Sequence, residues 1–191
     1  MQPEAMHPKD QLAAILPAVA GVVDGIDDHQ LTAPTPCRRF LVEDLLDHML
    51  VLGGTFGYLF RGEEPPAEQR SWTGGASVPR AEFRTTMERL LDGVRSPGAM
   101  ERVITAPVGQ MPGEDFARFV ALDGLVHGWD LAVASGQPYE PPDDVVAAVH
   151  AFARNAITPE LRDGETFADE ITPGPDASPM GRLAAFTGRA V

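Results

Sequence analysis

The stretch from Phe116 to Ala134 repeats its apolar residues every three to four positions over five turns, and that period fits an α-helix. Phe116, Val120, Leu131 and Ala134 share one face of it, and so do Asp123 and His127. Residues four apart on a helix lie about 5–6 Å from one another at Cβ. The carboxylate and the imidazole are therefore neighbours on a surface that faces a core. An unpaired carboxylate there is costly, so something must compensate it, and a cation is a good candidate. The bland alternative is an ordinary i,i+4 pair.

Four further stretches carry the same period. They run over about Lys9–Ile26, Val42–Phe60, Pro79–Val94 and Pro142–Ile157. Pro17 falls inside the first and is expected to kink it. Pro79 suits a first helical turn, and Gly136 is well placed to end the helix that carries Asp123. Loops rich in Pro and Gly separate the stretches, among them 62–75. Arg102–Val108 reads as a short strand or hairpin arm, and a short helix is expected over Pro179–Thr187. The fold expected is all-α: a four-helix bundle with short C-terminal helices and a small hairpin. A length of 191 residues makes one domain spanning 1–191 the default.

On the second stretch Leu45, His48, Leu52, Phe56 and Leu59 share a face, and His48 interrupts it. Two helices thus place polar groups on core stripes. If they are neighbours, His48, Asp123 and His127 converge. Two imidazoles and a carboxylate suit Zn²⁺, with Ni²⁺ or Fe²⁺ as alternatives, and three protein ligands leave a position for water or substrate. A core histidine that is merely hydrogen-bonded remains the competing reading of His48. The single cysteine, Cys37, excludes an intramolecular disulfide and a cysteine-rich zinc site. It lies just before a helix start, where a thiolate would be stabilised, although a small apolar filler in a Pro-fixed turn is the plainer role. The net charge of −13 argues against nucleic acid or anionic membrane as partners. No apolar run reaches the roughly 18 residues of a membrane span, and the first ten residues lack the pattern of a signal peptide. A cytoplasmic protein is expected.

Four segments carry a family resemblance: Pro34-Thr-Pro-Cys37, Asp44-Leu-Leu-Asp-His48, Leu125-Val-His-Gly-Trp-Asp-Leu-Ala132 and Leu183-Ala-Ala-Phe-Thr-Gly-Arg189. On these the chain resembles the DinB-like metal-binding superfamily, closest to the actinobacterial group related to the N-terminal domain of mycothiol-dependent maleylpyruvate isomerase. The resemblance implies a bundle of DinB type and a divalent metal held by His48, Asp123 and His127. It also implies chemistry in which the metal activates a thiol such as mycothiol. The function expected is then a thiol-dependent S-transferase or isomerase acting on a small electrophile. A non-catalytic metal-binding or sensing module is the alternative, and a bundle that binds no metal is a third. In the superfamily the first residue of the Asp123/His127 pair is often Glu or His, so the shorter Asp123 changes the reach. The relatives usually place Trp-Thr before the second helix. Phe40 and Leu41 stand there instead, and Leu41 cannot cap the helix as Thr would.

Asp130 is a candidate second-layer acceptor that orients a ligand histidine, with a solvent-facing or loop-anchoring role as the alternative. Arg189 is expected to fold back and pair with a carboxylate, or to assist a bound anion. His7, His29 and His150 have no convergent partners in the pattern and are read as surface or loop residues. The oligomeric state is left open, with a homodimer as one arrangement.

Overall fold

A computed structural model describes residues 6–66, 72, 75–106, 109–164 and 166–191. Among these residues the chain forms six α-helices and one two-stranded hairpin: α1 Pro8–Asp24, α2 Val42–Arg61, α3 Arg80–Arg95, β1 Val103–Ala106, β2 Gly109–Pro112, α4 Gly113–Ser135, α5 Asp143–Ala156 and α6 Pro179–Phe186. Short 3₁₀ turns at Asp28–Gln30 and Pro159–Leu161 lie outside the periodic stretches. Of the loop expected over 62–75, residues 67–71, 73 and 74 lie outside the described residues, as do 107 and 108 at the hairpin tip.

Helices α1 to α4 make the bundle. α1 packs broadly on α3 and α4, and α2 packs broadly on α3. α2 and α4 meet along a much smaller contact. Phe60, Phe83 and Phe116 are fully buried and fill the centre, with Phe116 edge-on to Phe56 at 4.8 Å between ring centroids. α5 packs on α4 and α6, and α6 returns to α4. α1 is continuous through Pro17, and it starts one residue earlier and ends two residues earlier than the periodicity predicts. Pro79 precedes α3 rather than opening it. Gly136 ends α4 in a left-handed conformation with φ 71°.

The starts of α2 and α4 explain how two helices without side-chain N-caps are held. Leu41 supplies no cap, but the Asp44 carboxylate at the third helical position accepts the Leu41 N–H at 2.9 Å. The next two amides donate to the incoming loop, Val42 to the Ala33 carbonyl and Glu43 to the Leu31 carbonyl. At α4 the hairpin does the same work. Val103 pairs with Pro112 and Ala106 with Gly109, and the carbonyls of Arg102 and Met100 accept from the amides of Gly113 and Glu114. Both helices are thus anchored by backbone.

α2 and α3 approach so closely that a side chain is excluded at Gly93. A Cβ built there would lie 2.6 Å from the Gly57 carbonyl oxygen. Gly93→Ala is expected to push the two helices apart and to cost about 1–3 kcal/mol, read as a lower urea midpoint with unchanged slope.

Candidate metal centre

His48, on the second turn of α2, and the pair Asp123 and His127, on the middle of α4, meet at the narrow contact between those helices. Asp123 Oδ1 stands 3.4 Å from His127 Nε2 and 3.6 Å from His48 Nε2. One donor atom from each of the three residues lies within 4.8 Å of the others. The two imidazole rings are 5.2 Å apart and nearly perpendicular. His127 is buried, while Asp123 and His48 are half-buried. The Nε2 atom of His48 is itself buried and has no hydrogen-bond partner. A buried polar atom left without a partner is unusual and asks for an explanation.

Phe40 covers the two rings from one side, at 5.0 Å from His48 and 6.1 Å from His127. A built turn holds it there. Thr35 Oγ1 lies within hydrogen-bond distance of the carbonyl oxygens of Phe40 and Cys37, and the Phe40 amide donates to the Cys37 carbonyl at 2.9 Å. The aromatic bulk before α2 is therefore part of the site. On the His48 side an open depression of about 310 Å³ is lined by Phe40, Asp44, Asp47, His48, Val51 and Leu52. A crevice of about 20 Å³, apolar except at Asp123, adjoins the site on the other side, where Leu16, Met49, Met87 and Val120 lie among its walls. It holds little more than one water.

The electrostatics are those of a carboxylate between two rings. Burial by itself would raise the Asp123 carboxyl, but His127 and then His48 outweigh it and hold the group well below the usual carboxylate range. For His127, burial by itself would lower the imidazole. The negative charge of Asp123, with help from Asp130, overrides this and raises it to about 10. Without metal the site thus stores a proton on His127 at neutral pH.

Behind His127, Asp130 is fully buried, and its Oδ2 lies 2.9 Å from His127 Nδ1. Asp130 therefore does not face solvent. Arg189 folds back onto it from the C-terminus, with Nη2 at 3.0 Å from Oδ2 and Nε at 3.3 Å from Oδ1. Cys37 lies half-buried on the same side, and with His127 and Asp130 it forms a second trio of donor atoms within 4.8 Å. That trio is a poor metal site, because the Arg189 fork already occupies both oxygens of Asp130. Among the other histidines, His7 and His29 are exposed, but His7 has a role the pattern did not show: its Nδ1 accepts the Lys9 amide at the start of α1. His150 is half-buried against Phe186, at 5.3 Å between rings, so it joins α5 to α6 rather than lying free on the surface.

No described helix is long and apolar enough to cross a membrane. The profile of the family described as "Mycothiol maleylpyruvate isomerase N-terminal domain" matches residues 12–132, which include all three donors. Two uncharacterized proteins of Mycobacterium tuberculosis, MT0763 and Rv0738 from different strains, are each 31% identical over 175 residues, covering 91% of this chain and 93% of theirs. The crystal structure of a histidine-to-alanine variant of mycothiol-dependent maleylpyruvate isomerase superposes with a TM-score of 0.56 at 12% identity, over 75% of this chain and 67% of that one. At that identity the likeness concerns the fold.

The raised His127 has a definite consequence for stability. A group whose folded pKa lies above its unfolded value stabilises fully below the unfolded value and loses this as pH rises through the folded one. In chelator, the metal-free protein is expected to lose stability between pH 6.5, the ordinary histidine value, and about pH 10. Urea denaturation across that window checks it, and His127→Gln should flatten the decline.

Proposed function

The chain belongs to the mycothiol maleylpyruvate isomerase N-terminal domain family, and from that premise we propose that it is a metal- and thiol-dependent enzyme. In this reading His48, Asp123 and His127 hold a divalent cation. A small thiol of the mycothiol type is activated beside it for S-transfer to a small electrophile, or for its isomerisation. The observation that carries the reading is the spacing of the donors. Zinc bonds of about 2.0–2.1 Å in a tetrahedron separate neighbouring ligand atoms by roughly 3.3–3.4 Å. The separations of 3.4 and 3.6 Å to Asp123 Oδ1 are close to that value. They are also longer than a good N–H···O hydrogen bond, which runs to about 3.2 Å. A shared cation accounts for these distances and for the partnerless His48 Nε2 better than hydrogen bonding does.

The chain's own groups are suited to the task. Asp123 is ionised in advance and supplies one negative charge. His48 presents a buried Nε2 that has no hydrogen-bond partner. His127 gives up its stored proton when it binds, so affinity is expected to weaken as pH falls. A bound cation of this kind acts as a Lewis acid, under which a thiol is deprotonated near neutral pH. Phe40 shields both imidazoles from water on one face. The depression of about 310 Å³ has His48, alone of the three residues, in its wall, and an open space beside the site suits a catalytic centre better than a closed structural one. Imidazole and carboxylate ligands suit Zn²⁺ first, with Ni²⁺ and Fe²⁺ as alternatives. With a net charge of −13, nucleic acid and anionic membrane have no part in this reading.

Elemental analysis of protein purified without added metal should find a stoichiometric divalent ion, and His127→Ala should lose it. In a cobalt-substituted sample, titration with mycothiol should change the visible spectrum. Stoichiometric cobalt whose spectrum ignores every cellular thiol would mark a metal-binding module without this activity. Retained stoichiometric binding in His127→Ala would remove the ligand assignment itself.

A further inference from the structure

We propose that Arg189 is a positioning residue of the metal centre. Acting through Asp130, it fixes the ring of His127 so that Nε2, and not Nδ1, is presented to Asp123 and His48. The proposal rests on the reading of His127 as a metal ligand, and its chemistry lies in the order of the contacts. Asp130 Oδ1 faces Arg189 Nε at 3.3 Å, while Oδ2 is shared between Arg189 Nη2 at 3.0 Å and His127 Nδ1 at 2.9 Å. The Asp130 oxygen stands within hydrogen-bond distance of Nδ1, at 2.9 Å, whereas the Asp123 oxygen is farther from Nε2, at 3.4 Å, so the ring is held by its Nδ1 edge and its Nε2 edge is turned to Asp123 and His48. The guanidinium meets both oxygens of a carboxylate that has no exposure to water.

The C-terminal segment is built to deliver that guanidinium. Gly188 takes φ 88°, and a Cβ there would lie 3.0 Å from the backbone of Ala168, so glycine alone makes the turn after α6. The Arg189 amide then donates to the Ala184 carbonyl at 2.9 Å, and Nη1 donates to the Thr187 carbonyl at 3.2 Å. Thr187 is itself buried, with its hydroxyl on the Ala184 carbonyl. A tail that only needed fastening to α4 could do so with apolar contacts, which avoid the desolvation of a buried ion pair. The bond passed on to His127 is what an apolar contact cannot supply. Partners in this second layer commonly govern metal affinity as well as ring orientation.

The test compares Arg189→Ala, Arg189→Lys and, as a control of destabilisation, Leu183→Ala in the core of α6. The first readout is the ring ¹⁵N–¹H signal of His127 in metal-free protein. The second is cobalt affinity and absorption, measured well below each melting transition. Arg189→Ala is expected to shift or lose the Nδ1 proton signal and to weaken cobalt binding about 10–100-fold. Arg189→Lys, which keeps the charge without the fork, should fall between. Leu183→Ala should lower the melting temperature and leave both readouts unchanged. Should Arg189→Ala fail to fold, Arg189→Lys carries the same comparison. Arginine variants that only lower the melting temperature, with the ring signal and cobalt affinity of the parent, overturn the proposal. A parent protein that takes up no cobalt would remove the ligand reading instead. The ring signal would then decide by itself whether Arg189 fixes His127.

Discussion

A single carboxylate held between two imidazoles organises this molecule. Asp123 stands on the helix with the most buried surroundings in the bundle, and it is ionised there because His127 and His48 face it from two directions. Remove either ring and the charge loses part of what offsets its burial. Remove the carboxylate and two imidazoles confront each other at 5.2 Å. The three groups are therefore a unit, and their properties belong to the cluster more than to any member.

The surrounding fold serves the cluster through an asymmetry of packing. α2 lies against α3 so tightly that Gly93 meets the backbone of Gly57, whereas α2 and α4 touch only over a short length. The tight contact fixes where α2 sits. The loose one leaves space for His48 to reach across to Asp123. Backbone anchors at the starts of α2 and α4 make both helices firm supports, even though neither has a conventional N-cap. The turn from Thr35 to Phe40 then lays an aromatic ring over the histidines.

The helices themselves were legible because apolar periodicity is a local signal that long amphipathic segments satisfy many times over. The hairpin was half legible: one arm over Arg102–Val108 was expected, while its partner Gly109–Pro112 lacks the alternation that marks a strand. The 3₁₀ turns and the cap by His7 were not seen, since each depends on one or two hydrogen bonds rather than on a pattern. The concern raised by Leu41 at the start of α2 is answered by Asp44 three residues on, whose carboxylate takes over half of the capping arrangement.

The sequence by itself determined that Asp123 and His127 would be neighbours on a buried face, because helix geometry fixes residues four apart whatever else the chain does. It likewise set His48 on a core stripe, and Asp130 three positions from His127. It could not decide whether α2 and α4 would adjoin, nor that residue 189 would reach residue 130 across 59 positions of chain. Those meetings depend on how whole helices pack. Burial drives that packing, but burial alone has no direction, so only the assembled tertiary structure brings the donors, Phe40 and the guanidinium of Arg189 to one place.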